Sequence, residues 1–224
     1  MSPRLAVPLL LLGLACASGR TGPELRKAEL ARAGDPSALV ATYDIPGSFL
    51  IRQQLRFRFG DEEGSFQAVV QKLCDEVRVV GLTPFGSPAF AIHQRGLDVR
   101  VESYLPGPWP FDPRQILLDV HRIYFVPIAE TAPPDAIYAT RHGDETLFDR
   151  WSSGRLVERT FRRVDGDPPG RIVVSYPGGA TRGSPPREVR LENERYDYEI
   201  TVTTLSRTEL VCAPATEDPL PANR

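Results

Sequence analysis

A run of alternating side chains between positions 49 and 59 constrains the fold of this chain more than any other feature. Successive side chains of a β-strand point to opposite faces of the sheet, so a period of two predicts a strand with one dry face and one wet face. The odd positions hold Phe49, Ile51, Gln53, Leu55, Phe57 and Phe59, and the even positions hold Leu50, Arg52, Gln54, Arg56 and Arg58.

Further strands are predicted on both sides of one helical segment. The helix is expected over residues 114–125, where Ile116, Val120 and Ile123 recur at helical spacing after a cap at Asp112 and Pro113. A loop rich in proline and aspartate is expected between this helix and the next strand. The other predicted strands cover residues 65–73, 77–82, 89–94, 97–105, 154–162, 171–176, 187–192 and 197–205.

Short strands joined by short turns are typical of an antiparallel meander. The expected fold class is therefore mainly β: a curved antiparallel sheet of about nine or ten strands with one helical insertion. A curved sheet of this kind either closes on itself or needs an apolar element to cover its concave face.

The composition indicates one globular domain without a charged partner. The chain has 224 residues, 41% of them hydrophobic and 25% charged, which is enough for one substantial core. The formal net charge is −2, and the arginines at positions 26, 32, 52, 56 and 58 are spread out rather than clustered. Nucleic acid binding requires clustered basic charge, so no nucleic acid partner is expected.

The amino terminus has the pattern of an export signal. Arg4 precedes an uncharged apolar run from Leu5 to Ala15, which is too short to cross a bilayer, since crossing takes about 20 apolar residues. The cysteine that follows, Cys16, resembles the last residue of the bacterial lipobox, so we expect it to be lipidated after cleavage. The alternative is an ordinary signal peptide that is cleaved near Ala17.

Acyl chains on Cys16 would anchor the mature protein in a membrane, since each buried methylene contributes about 0.8 kcal/mol. Ala17 is not the aspartate that retains many such lipoproteins in the inner membrane, so the periplasmic face of the outer membrane is expected. The predicted divisions are a signal peptide over 1–15, a lipidated tether over 16–44, the folded domain over 45–212 and a flexible tail over 213–224. We expect a monomer.

The cysteines and histidines carry no metal or catalytic pattern. Export permits a disulfide between Cys74 and Cys212, but a buried free Cys74 is equally compatible with the sequence. The spacing of the cysteines and of His93, His121 and His142 is not that of a zinc site, so no metal and no cofactor are expected.

The segment Gly86-Ser87-Pro88 lacks the second glycine of a nucleophile elbow, and the proline after the serine removes a backbone donor. The sequence therefore predicts a protein that is not an enzyme. An envelope hydrolase would need a serine or a carboxylate that pairs with a histidine in the folded chain.

Four short segments, 79–86, 117–119, 191–193 and 196–200, carry a resemblance that covers residues 48–206. Together they look like an uncharacterised family of outer-membrane lipoproteins of unknown function, which is itself similar to the LolA/LolB lipoprotein carriers. The resemblance implies an incomplete, half-open β-barrel with a helical lid over a cavity that takes acyl chains. In the LolB receptor a Pro-Leu-Gly turn exposes its leucine for membrane transfer, and the matching turn here is Pro84-Phe85-Gly86.

A dry sheet face below an amphipathic helix would suit an apolar ligand, namely an acyl chain, a lipid or a lipidated protein. Each candidate residue could equally pack in an ordinary core, and Phe85 could equally be a buried aromatic of a turn. Trp109 and Phe111 would form either a lip that touches a membrane or a clamp on the lid loop. The candidate lining residues are Phe49, Ile51, Leu55, Phe57, Val99, Val101, Ile116 and Val120.

The sequence thus predicts an outer-membrane lipoprotein that binds or accepts an acyl chain, a lipid or a lipidated protein. The alternative is a structural or assembly lipoprotein of the envelope that uses the same scaffold without a transported ligand.

Overall fold

The protein folds into one open antiparallel sheet that a single helix covers. A computed structural model describes residues 39–104, 113–163, 165 and 168–212. Eleven strands are found in these ranges, and each neighbouring pair is antiparallel in the order β5-β4-β3-β2-β1-β11-β10-β9-β8-β7-β6. The strands are β1 Phe49–Phe59, β2 Glu62–Leu73, β3 Glu76–Leu82, β4 Pro88–Arg95, β5 Asp98–Ser103, β6 Ile137–His142, β7 Glu145–Ser152, β8 Arg155–Arg163, β9 Arg171–Ala180, β10 Glu188–Asn193 and β11 Tyr198–Glu209.

The sheet is open: among the described residues its two edge strands, β5 and β6, are not paired with each other. The expected fold class, a mainly β, curved and incomplete antiparallel sheet with a helical insertion, is therefore confirmed. Strand β1 occupies the run that the alternation predicts. It lies at the centre of the sheet, between β2 and β11, where Leu55 pairs with Phe66 on one side and Val202 on the other.

The helix α1, Pro113–Val120, continues into a π-helical turn, His121–Phe125. It belongs to the connection between the two edge strands, so the chain crosses the concave face of the sheet, which we call the inner face. The helical segment contributes to both apolar clusters of this face: Leu117, Val120 and Phe125 join one cluster, and Ile123 joins the other. The predicted helix over 114–125 is thus confirmed.

The prediction of a loop between the helix and residue 154 is wrong, because the structure has strands β6 and β7 in this segment. Strand β6 is almost entirely exposed at the sheet edge, so it has no dry face to produce an apolar alternation. In β7 the inward positions hold Glu145, Leu147 and Trp151, all of them buried. The buried glutamate interrupts the apolar pattern, because its charge is paired inside the fold.

The strands define two ends of the domain. At one end, which we call the terminal end, lie the entering residues 39–48, the β2–β3 turn, the β4–β5 turn and Cys212. At the opposite end, which we call the Phe85 end, lie the β1–β2 and β3–β4 turns. The predicted signal peptide, Cys16, the tail 213–224, Trp109 and Phe111 fall outside the described residues.

Within the described ranges, no helix has both the length and the apolar character that a membrane crossing requires. The same ranges contain no group of three or more His, Cys, Asp or Glu side chains arranged to hold a metal ion.

Candidate functional site

The eight candidate lining residues lie on the inner face of the sheet or on the helix that covers it. Phe49, Ile51 and Val120 are buried in one apolar cluster, and the half-buried Val99, Val101 and Ile116 pack against it. Leu55 is buried in the second cluster. Phe57 is half-buried, and its ring centroid lies 6.1 Å from that of Phe66.

The structure therefore brings the candidate residues to one face, and the helix occupies that face. An acyl chain could reach the buried Phe49, Ile51 and Leu55 only after the helical segment moves. What holds α1 in place is accordingly the central feature of the site.

A buried polar network holds the helix to the sheet. On the helix, Arg122 donates to Asp119 Oδ1 at 3.1 Å and, across the domain, to Glu145 Oε1 of β7 at 3.4 Å. Arg195, in the β10–β11 turn, donates to the same Glu145 oxygen, and the Tyr198 hydroxyl of β11 donates to Asp119 Oδ2. Two carboxylates and two guanidiniums thus share one buried site.

The two carboxyls of this network differ in their response to burial, which raises the pKa of Asp119. Burial disfavours the charged form of Glu145, but the guanidiniums of Arg122 and Arg195 outweigh burial and lower the pKa of this carboxyl. Removing one member of such a group would leave an uncompensated buried charge, which costs about 3–5 kcal/mol. The network therefore favours the conformation in which the helix covers the inner face.

Two atoms of the network have no partner within the described part of the chain. These are Arg122 Nε and Glu145 Oε2, both buried. Buried polar atoms without a hydrogen bond are destabilising, so this contact between helix and sheet is less favourable than a fully paired one.

A second buried cation fixes the end of the helical segment. Arg159 of β8 makes a two-point contact with Asp149 of β7, at 2.9 and 3.0 Å. Its other N–H groups donate to the carbonyl oxygens of Val126 and Pro127, each at 2.6 Å. The guanidinium thus satisfies two backbone acceptors just beyond the last helical turn.

His121 joins the helix to the segment where the chain enters the domain. Its Nδ1 accepts from the backbone N–H of Val40 at 3.0 Å, so its Nε2, 2.7 Å from Gln94 Oε1, carries the proton. Burial, together with the nearby positive groups of His142 and Arg122, lowers the pKa of His121 to about 3. Both ring nitrogens are occupied within the fold, so His121 has no free nitrogen for acid–base catalysis.

His93 contacts a carboxylate, with its Nδ1 3.0 Å from Glu76 Oε1. This pair lies on the outer face of the sheet, since His93 alternates with the inward Ile92 and Gln94 of β4.

The Phe85 turn projects from the sheet. The backbone N–H of Gly86 donates to Thr83 O at 2.9 Å, and that of Thr83 donates to Ser87 O at 2.8 Å. Gly86 has a φ of +82°, which favours glycine at this position. The turn leaves the Phe85 ring 95% exposed at the end of the domain.

Cys74 and Cys212 form a disulfide with their Cα atoms 5.2 Å apart. The bond ties the β2–β3 turn to the chain that follows β11, and it closes a sequence separation of 138 residues.

Sequence reasoning missed the buried charges of Glu145, Arg159 and Arg195, because a charged side chain in a sequence is normally assigned to the surface. One signal was present in the motifs that carried the family resemblance. The segment 117–119 contains Asp119 and the segment 196–200 contains Tyr198, and these two side chains bond to each other across 79 positions.

The pattern of a family described as protein of unknown function (DUF3261) matches residues 50–206. A search of curated proteins finds no match. Among solved structures, the chain is similar to a LolA superfamily protein from Nitrosomonas europaea, at 16% identity and a TM-score of 0.48, covering 79% of this chain and 96% of the other. It is also similar to a domain from Vibrio parahaemolyticus described as a candidate outer membrane lipoprotein-sorting protein, at 9% identity and a TM-score of 0.45, covering 87% and 94%.

Proposed function

The chain belongs to the family of proteins of unknown function DUF3261, and we propose that it is a lipid-anchored acceptor of acyl chains rather than an enzyme. In this proposal Cys16 is lipidated and holds the protein at the periplasmic face of the outer membrane. The half-barrel then binds an acyl chain, a lipid or the lipid moiety of another lipoprotein between its inner face and the helix α1.

The observation that carries the proposal is an open sheet whose apolar inner face is covered by one separate helical segment. An open antiparallel sheet can admit a ligand between its face and a cover without breaking strand pairs. The cover is short, since α1 and the π-helical turn together run from Pro113 to Phe125. Moving it would expose the side chains of Phe49, Ile51 and Val120 to a ligand.

Phe85 supports the same proposal from outside the sheet. An aromatic ring that is 95% exposed on a hydrogen-bonded turn is accessible to an apolar surface. We propose that Phe85, between Pro84 and Gly86, contacts a membrane or a lipidated partner during transfer.

One observation favours the second candidate function, a structural or assembly lipoprotein of the envelope. Phe49, Ile51 and Leu55 are buried against the helical segment or against neighbouring strands, so the inner face already has an apolar cover. A protein that never moves its helix would not bind an acyl chain, and this difference can be measured.

The first experiment measures ligand binding by the mature protein. We expect a fluorescent fatty acid to bind with an emission increase, and mass spectrometry of the purified protein to detect co-purified lipid. Failure of both, in a protein that is folded by circular dichroism, would favour the structural role and overturn the acceptor proposal.

The second experiment tests the exposed ring. We expect Phe85→Glu to abolish transfer of a labelled acyl lipid from vesicles, because a charged side chain is not accepted by an apolar surface, while Phe85→Leu retains transfer. Leu205→Glu is the matched control, since Leu205 is also exposed but lies on a strand away from the turn. Equal loss in the Phe85→Glu and Leu205→Glu variants would contradict a specific role of the turn.

A further inference from the structure

Four exposed apolar side chains gather at the terminal end of the domain, opposite Phe85. We call them the terminal-end patch. Isolated apolar residues are common on protein surfaces, whereas a group of them marks an interaction site. The patch consists of Tyr43, Leu73, Leu97 and Val211, which are 70%, 38%, 46% and 88% exposed.

Direct contacts hold the four segments of the patch together. The Thr42 hydroxyl donates to Asp75 O at 2.6 Å and accepts from the Gly96 N–H at 2.8 Å, which joins the entering chain to two turns. The disulfide between Cys74 and Cys212 joins the first of these turns to the end of the described chain. Each member of the patch lies within two positions of one of these contacts.

The chain enters the domain at the same end. The backbone N–H of Val40 donates to His121 of the helical segment. The carbonyl oxygen of Val40 accepts from the Gln94 side chain of β4 at 2.9 Å. Residue 39 is the first described residue, and 23 positions separate it from Cys16 in the sequence. An extended stretch of this length spans about 80 Å at most.

A tether of that reach does not by itself orient the domain. Strand β1, with 11 residues, is about 35 Å long, so the tether would allow either end of the domain to face the membrane. A contact between the domain and the bilayer is needed to select one orientation.

We propose that the terminal-end patch rests on the surface of the bilayer that holds the Cys16 lipid, and that the Phe85 end points away from this bilayer. The inference rests on the lipid anchor of the proposed function. The anchor concentrates the patch at the surface, so a small apolar area suffices for contact. Phe85 then faces a second surface, that of the donor of the acyl chain.

The charges beside the patch define the lipid surface it fits. Asp44, Asp75 and Asp98 are exposed there and outnumber the exposed Arg95. Carboxylates are repelled by anionic headgroups, so the contact favours zwitterionic lipid and depends on apolar insertion rather than on charge attraction.

The test places a tryptophan in the patch of the full-length lipidated protein, reconstituted in phosphatidylcholine vesicles with brominated acyl chains. Brominated acyl chains quench the fluorescence of a tryptophan that enters the bilayer. After subtraction of the wild-type signal, we expect quenching in Tyr43→Trp to be at least about twofold greater than in the Leu205→Trp control, because only position 43 enters the bilayer. Phe85→Trp is expected to gain no more than Leu205→Trp. Replacing phosphatidylcholine by brominated phosphatidylglycerol at low salt is expected to reduce quenching at position 43.

The outcomes separate this inference from the proposed function. Absence of acyl chains on Cys16 in mass spectrometry contradicts the anchor itself. In an acylated protein, equal quenching of Tyr43→Trp and Leu205→Trp overturns the orientation, and so does stronger quenching of Phe85→Trp. Quenching at position 43 that arises only after deletion of residues 213–224 would mean that the tail covers the patch, and this result also overturns the inference.

Discussion

His121 shows how a single buried side chain can connect two parts of this fold. Its neutral ring accepts from Val40 and donates to Gln94, and these bonds join the helix, β4 and the entering chain. Protonation would convert the acceptor Nδ1 into a donor that faces another donor, so the charged form is incompatible with this arrangement.

The pKa of His121 predicts acid sensitivity. A histidine with a folded-state pKa of about 3, against about 6.5 in the unfolded chain, binds its proton only on unfolding at intermediate pH. Its contribution to stability is complete above pH 6.5 and is lost as the pH falls toward 3, by up to about 1.4 kcal/mol per pH unit.

Urea denaturation at pH 4, 5, 6 and 7 measures this dependence. In the His121→Gln variant we expect a lower free energy of unfolding at pH 7 and a shallower decrease between pH 6 and pH 4. A variant that keeps the wild-type slope would contradict the assignment to His121.

Arg159 offers a direct comparison of buried and exposed ion pairs on the same two strands. The side chain of Arg159 is 1% exposed and pairs with Asp149, whereas the adjacent cross-strand pair, Arg150 with Glu158, is on the outer face. We expect Arg159→Met to lower the free energy of unfolding by about 3–5 kcal/mol, because it removes the cation that pairs with the Asp149 carboxylate and the donor to two backbone carbonyl oxygens. Arg150→Met is expected to cost less than about 1 kcal/mol.

Chemical denaturation of both variants checks this prediction. Similar losses for Arg159→Met and Arg150→Met would mean that the contacts of Arg159 with the end of the helical segment contribute little.

At the scale of elements, the long central strands and their attachments carry the domain. Strand β1 pairs over its full length with β2 and β11, and a register shift lies opposite Arg52 and Gln53. The start of β1 is further tied to the chain ends by bonds from Cys74 N to Ser48 Oγ at 3.2 Å and from Leu210 N to Ser48 O at 2.8 Å.

The disulfide is expected to be a major stabilising element at this end. It closes 138 positions of chain, and restriction of the unfolded state over loops of this size is worth about 2–5 kcal/mol. The double variant Cys74→Ala, Cys212→Ala should therefore unfold at lower urea concentration than the oxidised wild type.

Dithiothreitol provides the control for the disulfide. It should shift the wild type toward the double variant and leave the double variant unchanged. An unchanged midpoint in the reduced wild type would show that neighbouring contacts suffice to hold this end.

At the scale of the whole molecule, the domain extends beyond the segment that the family pattern covers. Residues 50–206 contain most of the sheet, but they omit Cys212 and the last three residue pairs between β1 and β11. They also omit the entering segment with the buried Ala41 and Ile45. The predicted boundary between tether and domain at 44/45 falls inside a segment whose Val40 and Thr42 bond to the domain.

Two truncated chains test where the folded unit ends. We expect residues 39–212 to unfold at the same temperature as the mature protein, and residues 50–206 to unfold at a clearly lower temperature because of the lost disulfide and the lost burial of Ile45. Thermal unfolding followed by circular dichroism makes the comparison. Equal midpoints for the two chains would limit the folded unit to the family segment.

The sequence by itself determined the central strand, the helix and the mainly β class, because these depend on periodic patterns within short windows. Periodicity left open whether the sheet closes, and only the family resemblance implied that it stays open. The alternation from Phe49 to Phe59 specifies β1 to the residue, and the spacing of Ile116, Val120 and Ile123 specifies the helical segment. The family resemblance singled out Phe85 and implied its exposure, but the residues alone equally allowed a buried aromatic, and the structure shows the exposed side chain.

Only the tertiary structure decided which charges are buried and what they hold. Glu145 and Arg195 are 50 positions apart, and Asp119 and Tyr198 are 79 apart, so no local pattern reveals that they meet. The same holds for the pairing of Cys74 with Cys212, and for β7, whose dry face includes a paired glutamate. Local periodicity reports the faces of an element, whereas the pairing of buried charges depends on which distant elements fold against each other.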